Sequence, residues 1–288
     1  SASFPAPIVP VLCDLSLLTD ALDPACDQVL QLGSRYGDEA ARIYCFARKG
    51  DWLTAVLVLE TAEALGRLTP RIAALLHLFL ETDSDNVLAA NMPPNLAPSP
   101  LEFRLYEAIG EPLSPSVLVR AFSVSQLSGE NGWHAQLRAA ERLAETGALS
   151  DNRLLGIYSL GTPAASGSVW DRARAITRLE KDLKSGDNDA IVTSFQTAKG
   201  AFEDGKLSAT FARLFVEPTV LALNTSQVPV AVLETGFLTP EYEKYAGMPA
   251  LDSDPNFMFR AAMARGDLSK IIPQSDIETA ISQAFLEP

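Results

Sequence analysis

The sequence is short of the side chains that chemistry usually needs. Its 288 residues include two histidines and three cysteines, and only 20% are charged. His77 and His134 fall in separate predicted helices, and no His-Glu-x-x-His pattern occurs, so nothing supports helical zinc proteolysis. A Gly-x-Ser-x-Gly elbow and a glycine-rich loop ending in Gly-Lys-Ser/Thr are also missing, which leaves no recognisable nucleophile or phosphate motif. No apolar run approaches the roughly 18 residues of a spanning helix. The stretch Ile72 to Leu80 reaches about half of that. Basic residues are scarce as well: 23 against 36 acidic ones give a charge of −13, which repels phosphate backbones and argues against nucleic acid as a partner.

What is plentiful is apolar mass. Hydrophobic residues make up 47% of the chain, which excludes disorder and provides for a sizeable core. Residues 1–10 carry Pro5, Pro7 and Pro10 and read as an irregular lead-in, compatible with the start of a mature exported chain or with a fragment boundary.

Helix punctuation recurs throughout, whereas strict apolar/polar alternation is confined to short stretches such as Gln227 to Leu233. Gly33, Gly50, Gly66, Gly110, Gly147, Gly186, Gly205, Gly236 and Gly266 each follow an apolar or amphipathic segment, where a helix needs a left-handed terminator. Thr69-Pro70, Ser99-Pro100, Ser114-Pro115, Thr239-Pro240 and Asp254-Pro255 each place a capping oxygen before a proline at the first helical position. These signals predict an all-α chain of helices about 10 to 18 residues long. Asp51 to Leu65 is apolar nearly all round, so it is expected to be covered on more than one side. Gly50-Asp51, Gly186-Asp187 and Gly266-Asp267 each read as the end of one helix and the cap of the next, as in stacked helical hairpins. The prolines at 93, 94, 98 and 100 make residues 91–100 a joint within one continuous domain over residues 11–288.

Around the first of these turns, Gly50-Asp51-Trp52-Leu53-Thr54-Ala55 with Leu59 and Ala62 resembles the second half of a tetratricopeptide repeat, and Phe46 supplies the aromatic of the preceding helix. The resemblance implies a degenerate superhelical array of helical hairpins that binds a protein or peptide. A softer one, carried by Leu137-Arg138-Ala139-Ala140-Glu141-Arg142, Gly147-Ala148-Leu149 and Trp170-Asp171-Arg172-Ala173, is to a group of exported alphaproteobacterial helical proteins. It implies a helical fold and export, and no activity.

The candidate site residues are few. Cys13, Cys26 and Cys45 fit no zinc or redox spacing, and two readings stay open: three buried thiols acting as small hydrophobes, or a Cys26–Cys45 disulfide with one thiol left over. The disulfide would stabilise by about 3 kcal/mol and would place the protein outside the cytoplasm, in the periplasm of a Gram-negative source. Trp133 and His134 at a helix start, and the stripe Arg174, Arg178 and Lys181 on an otherwise acidic protein, are candidates for partner binding. Against this, Asp171 and Asp182 balance part of the stripe along its own helix. Glu141 and Glu145, interleaved with Arg138 and Arg142, read as a solvated charge ladder. Asp83-Ser84-Asp85-Asn86 lacks the glycine and glutamate of a calcium loop and reads as turn residues, as does Asp252-Ser253-Asp254. No metal, cofactor or catalytic set is indicated. The leading expectation is a non-catalytic scaffold for a protein or peptide; the rival is a small-molecule or carbohydrate binder or enzyme with a pocket between hairpins.

Overall fold

The computed structural model describes residues 8–19, 21–80, 95, 97–128, 131–224, 226–251, 255–269 and 271–286. Residues 83–86 and 252–254, and half of the proline-rich stretch (91–94 and 96), lie outside them. The described residues are mostly helical, and the chain divides into two compact units, residues 1–128 and 129–288.

The first unit contains α1 (Val9–Thr19), α2 (Leu22–Leu32), α3 (Glu39–Arg48), α4 (Trp52–Ala64), α5 (Pro70–Leu80) and α6 (Pro100–Ala108), followed by a 3₁₀ segment at Arg120–Leu127. Local chemistry accounts for several of the starts. Asp38 accepts from the Ala41 N–H and Asp51 from the Thr54 N–H, and Ser99 and Glu102 form a reciprocal capping box ahead of α6. Helices next to each other in sequence pack together, α1 on α2, α3 on α4 and α4 on α5, around Leu17, Val29, Ile43, Leu59, Leu75 and Leu105. Cys26 and Cys45 are joined as a disulfide between α2 and α3, and Cys13 is a free buried thiol on α1.

α4 departs from expectation. Ala55, Leu59 and Ala62 are buried at i, i+4 and i+7, whereas Leu53 and Leu57 on the other side are 84% and 62% exposed, with Trp52 and Val56 also exposed. Covering one stripe with α3 and α5 suffices to hold the helix, so an all-round apolar composition does not force a second partner. The substitution pair Leu53→Glu and Leu57→Lys should therefore change stability by no more than about 0.5 kcal/mol in urea titrations. A loss of several times that amount would mean the outer face is covered.

The second unit contains α7 (Trp133–Ala144), α8 (Asp151–Tyr158), α9 (Ser168–Leu183), α10 (Asn188–Asp204), α11 (Ser208–Leu223), α12 (Val230–Gly236), α13 (Tyr242–Ala246), α14 (Pro255–Ala264) and α15 (Asp276–Leu286). Two residue pairs, Val228–Pro229 and Ala250–Leu251, form a minimal parallel bridge. α9 packs on α10, α10 on α11 and α11 on α12. Phe195, Phe202, Phe211 and Tyr158 interlock in the core with ring centroids 5.1 to 5.7 Å apart. The large C-terminal side chains divide: Tyr245, Phe257 and Phe259 are buried, and Tyr242 and Met258 are exposed.

Three helix-boundary expectations fail. Ser114-Pro115 opens turns leading to the 3₁₀ segment, and the Thr239 hydroxyl donates back to the Gly236 carbonyl instead of capping forward. Gly266-Asp267 ends α14, but Asp267 bonds Ser269 locally and no helix follows until Asp276. Two of the nine glycines also serve another purpose. Gly205 has φ −84°, and Lys206 takes the left-handed position; a Cβ on Gly205 would lie 3.1 Å from the Arg172 guanidinium. A Cβ on Gly236 would lie 2.5 Å from Tyr245. Both glycines permit close approach.

Candidate functional site

α9 carries the basic stripe on one side and a buried charge on the other. Val169, Ala173, Ile176 and Leu179 face the core, which at helical spacing leaves Arg174, Arg178 and Lys181 outward. The outward side forms one wall of an open groove of about 720 Å³, closed by Gly161, Thr162 and Pro163 and by Thr197 of α10. That volume lies within the range of ordinary ligand sites, roughly 300–1,000 Å³.

Two of the groove's three threonines are already engaged. Thr177 donates to the Ala173 carbonyl at 2.9 Å and Thr197 to the Thr193 carbonyl at 2.9 Å, each within its own helix. Arg174 is a wall anchor: it donates to the Ala165 carbonyl at 2.6 Å and to Asp171 at 2.5 Å. The Arg174 guanidinium, helped by the Gly167 backbone, holds the Asp171 carboxyl below the usual range. Arg178, whose side chain is 70% exposed, gives its Nε to Asp182 at 3.0 Å. Among the described residues Lys181 has no ion-pair partner. Lys181 and the terminal nitrogens of Arg178 thus remain open to a ligand.

Trp133 and His134 belong to the support of this groove. The Trp133 indole donates to the Ile157 carbonyl at 2.7 Å and packs against Trp170 with centroids 5.0 Å apart, and His134 lies 5.2 Å from Trp170. A Cβ on Gly161 would sit 3.0 Å from the Trp133 ring, so the loop at the groove's edge rests directly on that indole. Two sets of residues that the sequence marked separately are therefore brought together through Gly161.

A buried ionic network behind the groove escaped the sequence reading. Arg172 grips Glu141 bidentately, Nε to Oε1 at 2.8 Å and a terminal nitrogen to Oε2 at 2.5 Å, and the Tyr158 hydroxyl donates to Oε1 at 2.5 Å. Glu141 is 8% exposed, so it is no member of a solvated ladder. Desolvation works to lower the Arg172 pKa, but Glu141 outweighs it and holds the guanidinium above its ordinary value. Burial, then the Glu141 charge, pushes Tyr158 well above the ordinary phenol range. A folded-state pKa above the unfolded one means that this stabilisation is complete below about pH 10 and declines as pH rises further. The urea midpoint is expected to fall above that pH, and Tyr158→Phe should flatten the fall. The flattening is partial, because burial also raises Tyr36 and Tyr245.

His77 pairs with Glu63 at 3.0 Å across α4 and α5. Among the described residues no group of three or more His, Cys, Asp or Glu side chains gathers as a metal site would require. No family model, curated protein or solved structure matches the chain.

Proposed function

We propose that the protein is a non-catalytic helical scaffold, a degenerate tetratricopeptide-like array of the bacterial cell envelope, that binds a protein or peptide partner through the groove of its second unit. The observation that carries this reading is an open wall of helix on which Lys181 and the terminal nitrogens of Arg178 face the groove, with no convergent acid/base set among its lining residues. Hydrolysis of a glycosidic bond needs two carboxylates facing across a cleft. The groove's carboxylate, Asp171, is instead tied to Arg174. The disulfide supports export, because such bonds persist in oxidising compartments.

Site-specific photo-crosslinking in the source cell tests the reading. A benzophenone side chain at Thr177, inside the groove, should give covalent adducts with a polypeptide, whereas the same group at exposed Asn152 on α8 should not. Absence of adducts at Thr177, or equal adducts at both positions, would contradict it.

A further inference from the structure

We infer that the groove along α9 takes an extended peptide segment with acidic side chains at alternate positions. This rests on the groove being a polypeptide site and adds what the polypeptide must carry.

Arg174, Arg178 and Lys181 follow one another at i, i+4 and i+7, and helical neighbours at such spacings have Cβ atoms about 5–6 Å apart. In an extended chain, side chains on one face recur about every 6.7 Å. The long stems of Arg and Lys absorb the difference, so alternate carboxylates come opposite Arg178 and Lys181 in register. The three cations span about 10 Å of α9, the length of about three residues of extended chain.

The lining specifies the rest. Ala175, Pro163 and Gly161 present small apolar surface, and the Thr177 and Thr197 hydroxyls are engaged within their own helices. The side chains between the acidic ones are therefore small and apolar. Charge excludes a long polyanion, since a nucleic acid would extend beyond this stripe over a molecule whose net charge is −13. A short acidic segment meets only the stripe. Arg178 offers its terminal nitrogens in a planar fork suited to a carboxylate, and Lys181 a point charge.

Fluorescence anisotropy of the whole protein with labelled peptides tests this. The probes are Glu-Val-Glu-Val-Glu, its glutamine counterpart Gln-Val-Gln-Val-Gln, the regrouped Val-Val-Glu-Glu-Glu, and a single-stranded oligonucleotide of similar length. The alternating acidic peptide is expected to bind about tenfold or more tighter than each of the others. Its advantage should shrink with added salt and vanish in the Arg178→Gln, Lys181→Gln double variant, whose circular dichroism stays that of the parent. Equal binding of the glutamine peptide would overturn the acidic requirement while leaving a polypeptide site. Equal binding of the regrouped peptide would overturn the extended register, and tighter binding of the oligonucleotide would overturn the ligand class. A preference that survives in the double variant would place the site elsewhere. No binding by any peptide would overturn the inference; adducts at Thr177 would then still support the scaffold reading, and their absence would remove both.

Discussion

Glu141→Ala is expected to destabilise the second unit by about 3–5 kcal/mol, the usual cost of leaving one member of a buried pair without its partner. Arg172 would lose both of its carboxylate contacts while staying enclosed beside Gly205, and the Tyr158 hydroxyl would lose its acceptor. Arg172→Ala should cost a similar amount, since it strands the carboxylate. The combination Glu141→Leu with Arg172→Met should recover most of the loss, because desolvating two charges offsets much of what their attraction contributes. Chemical denaturation of the three variants checks this. Near-additive effects of the two single changes would mean that the residues do not act as a pair. Gly205→Ala makes the same point from the neighbouring helix: its methyl would press on the guanidinium and destabilise in proportion to how far Arg172 must shift.

Loss of the Cys26–Cys45 bond carries the second large effect. The cysteines are 19 residues apart, and closing a loop of that size stabilises by about 3 kcal/mol, chiefly by restricting the unfolded chain. Cys26→Ala with Cys45→Ala, or the reduced parent, should unfold at correspondingly lower denaturant, with the loss confined to the first unit. Cys13 gives an internal reference. Burial raises its thiol pKa, and it is enclosed, so it should resist alkylation in the native protein. After unfolding without reductant, mass analysis should find one alkylated thiol. Three alkylated thiols in protein isolated without reductant would remove both the disulfide and the argument for export.

Local signals were legible in the sequence where the chemistry itself is local. The caps at Asp51, Ser99 and Asp187 and most of the terminating glycines act within one turn of chain, so residue order suffices to find them. Reading failed where a residue serves something distant. Gly205 and Gly236 resemble terminators but make room for Arg172 and Tyr245, and the partners Glu141 and Arg172 are 31 residues apart. α4 misled for a related reason, since an apolar composition says how much surface could be buried and not how much the neighbours reach. The basic stripe was legible as a helical pattern. What residue order could not supply was the opposite wall of the groove at 161–163, or the Trp133 ring that supports it.

The most direct test of the central claim is hydrogen exchange of the whole protein with and without saturating Glu-Val-Glu-Val-Glu. Binding in the groove should slow exchange in residues 161–183 and around Thr197 and leave the first unit unchanged. Protection confined to the first unit, or none at a concentration that saturates the anisotropy signal, would contradict the account.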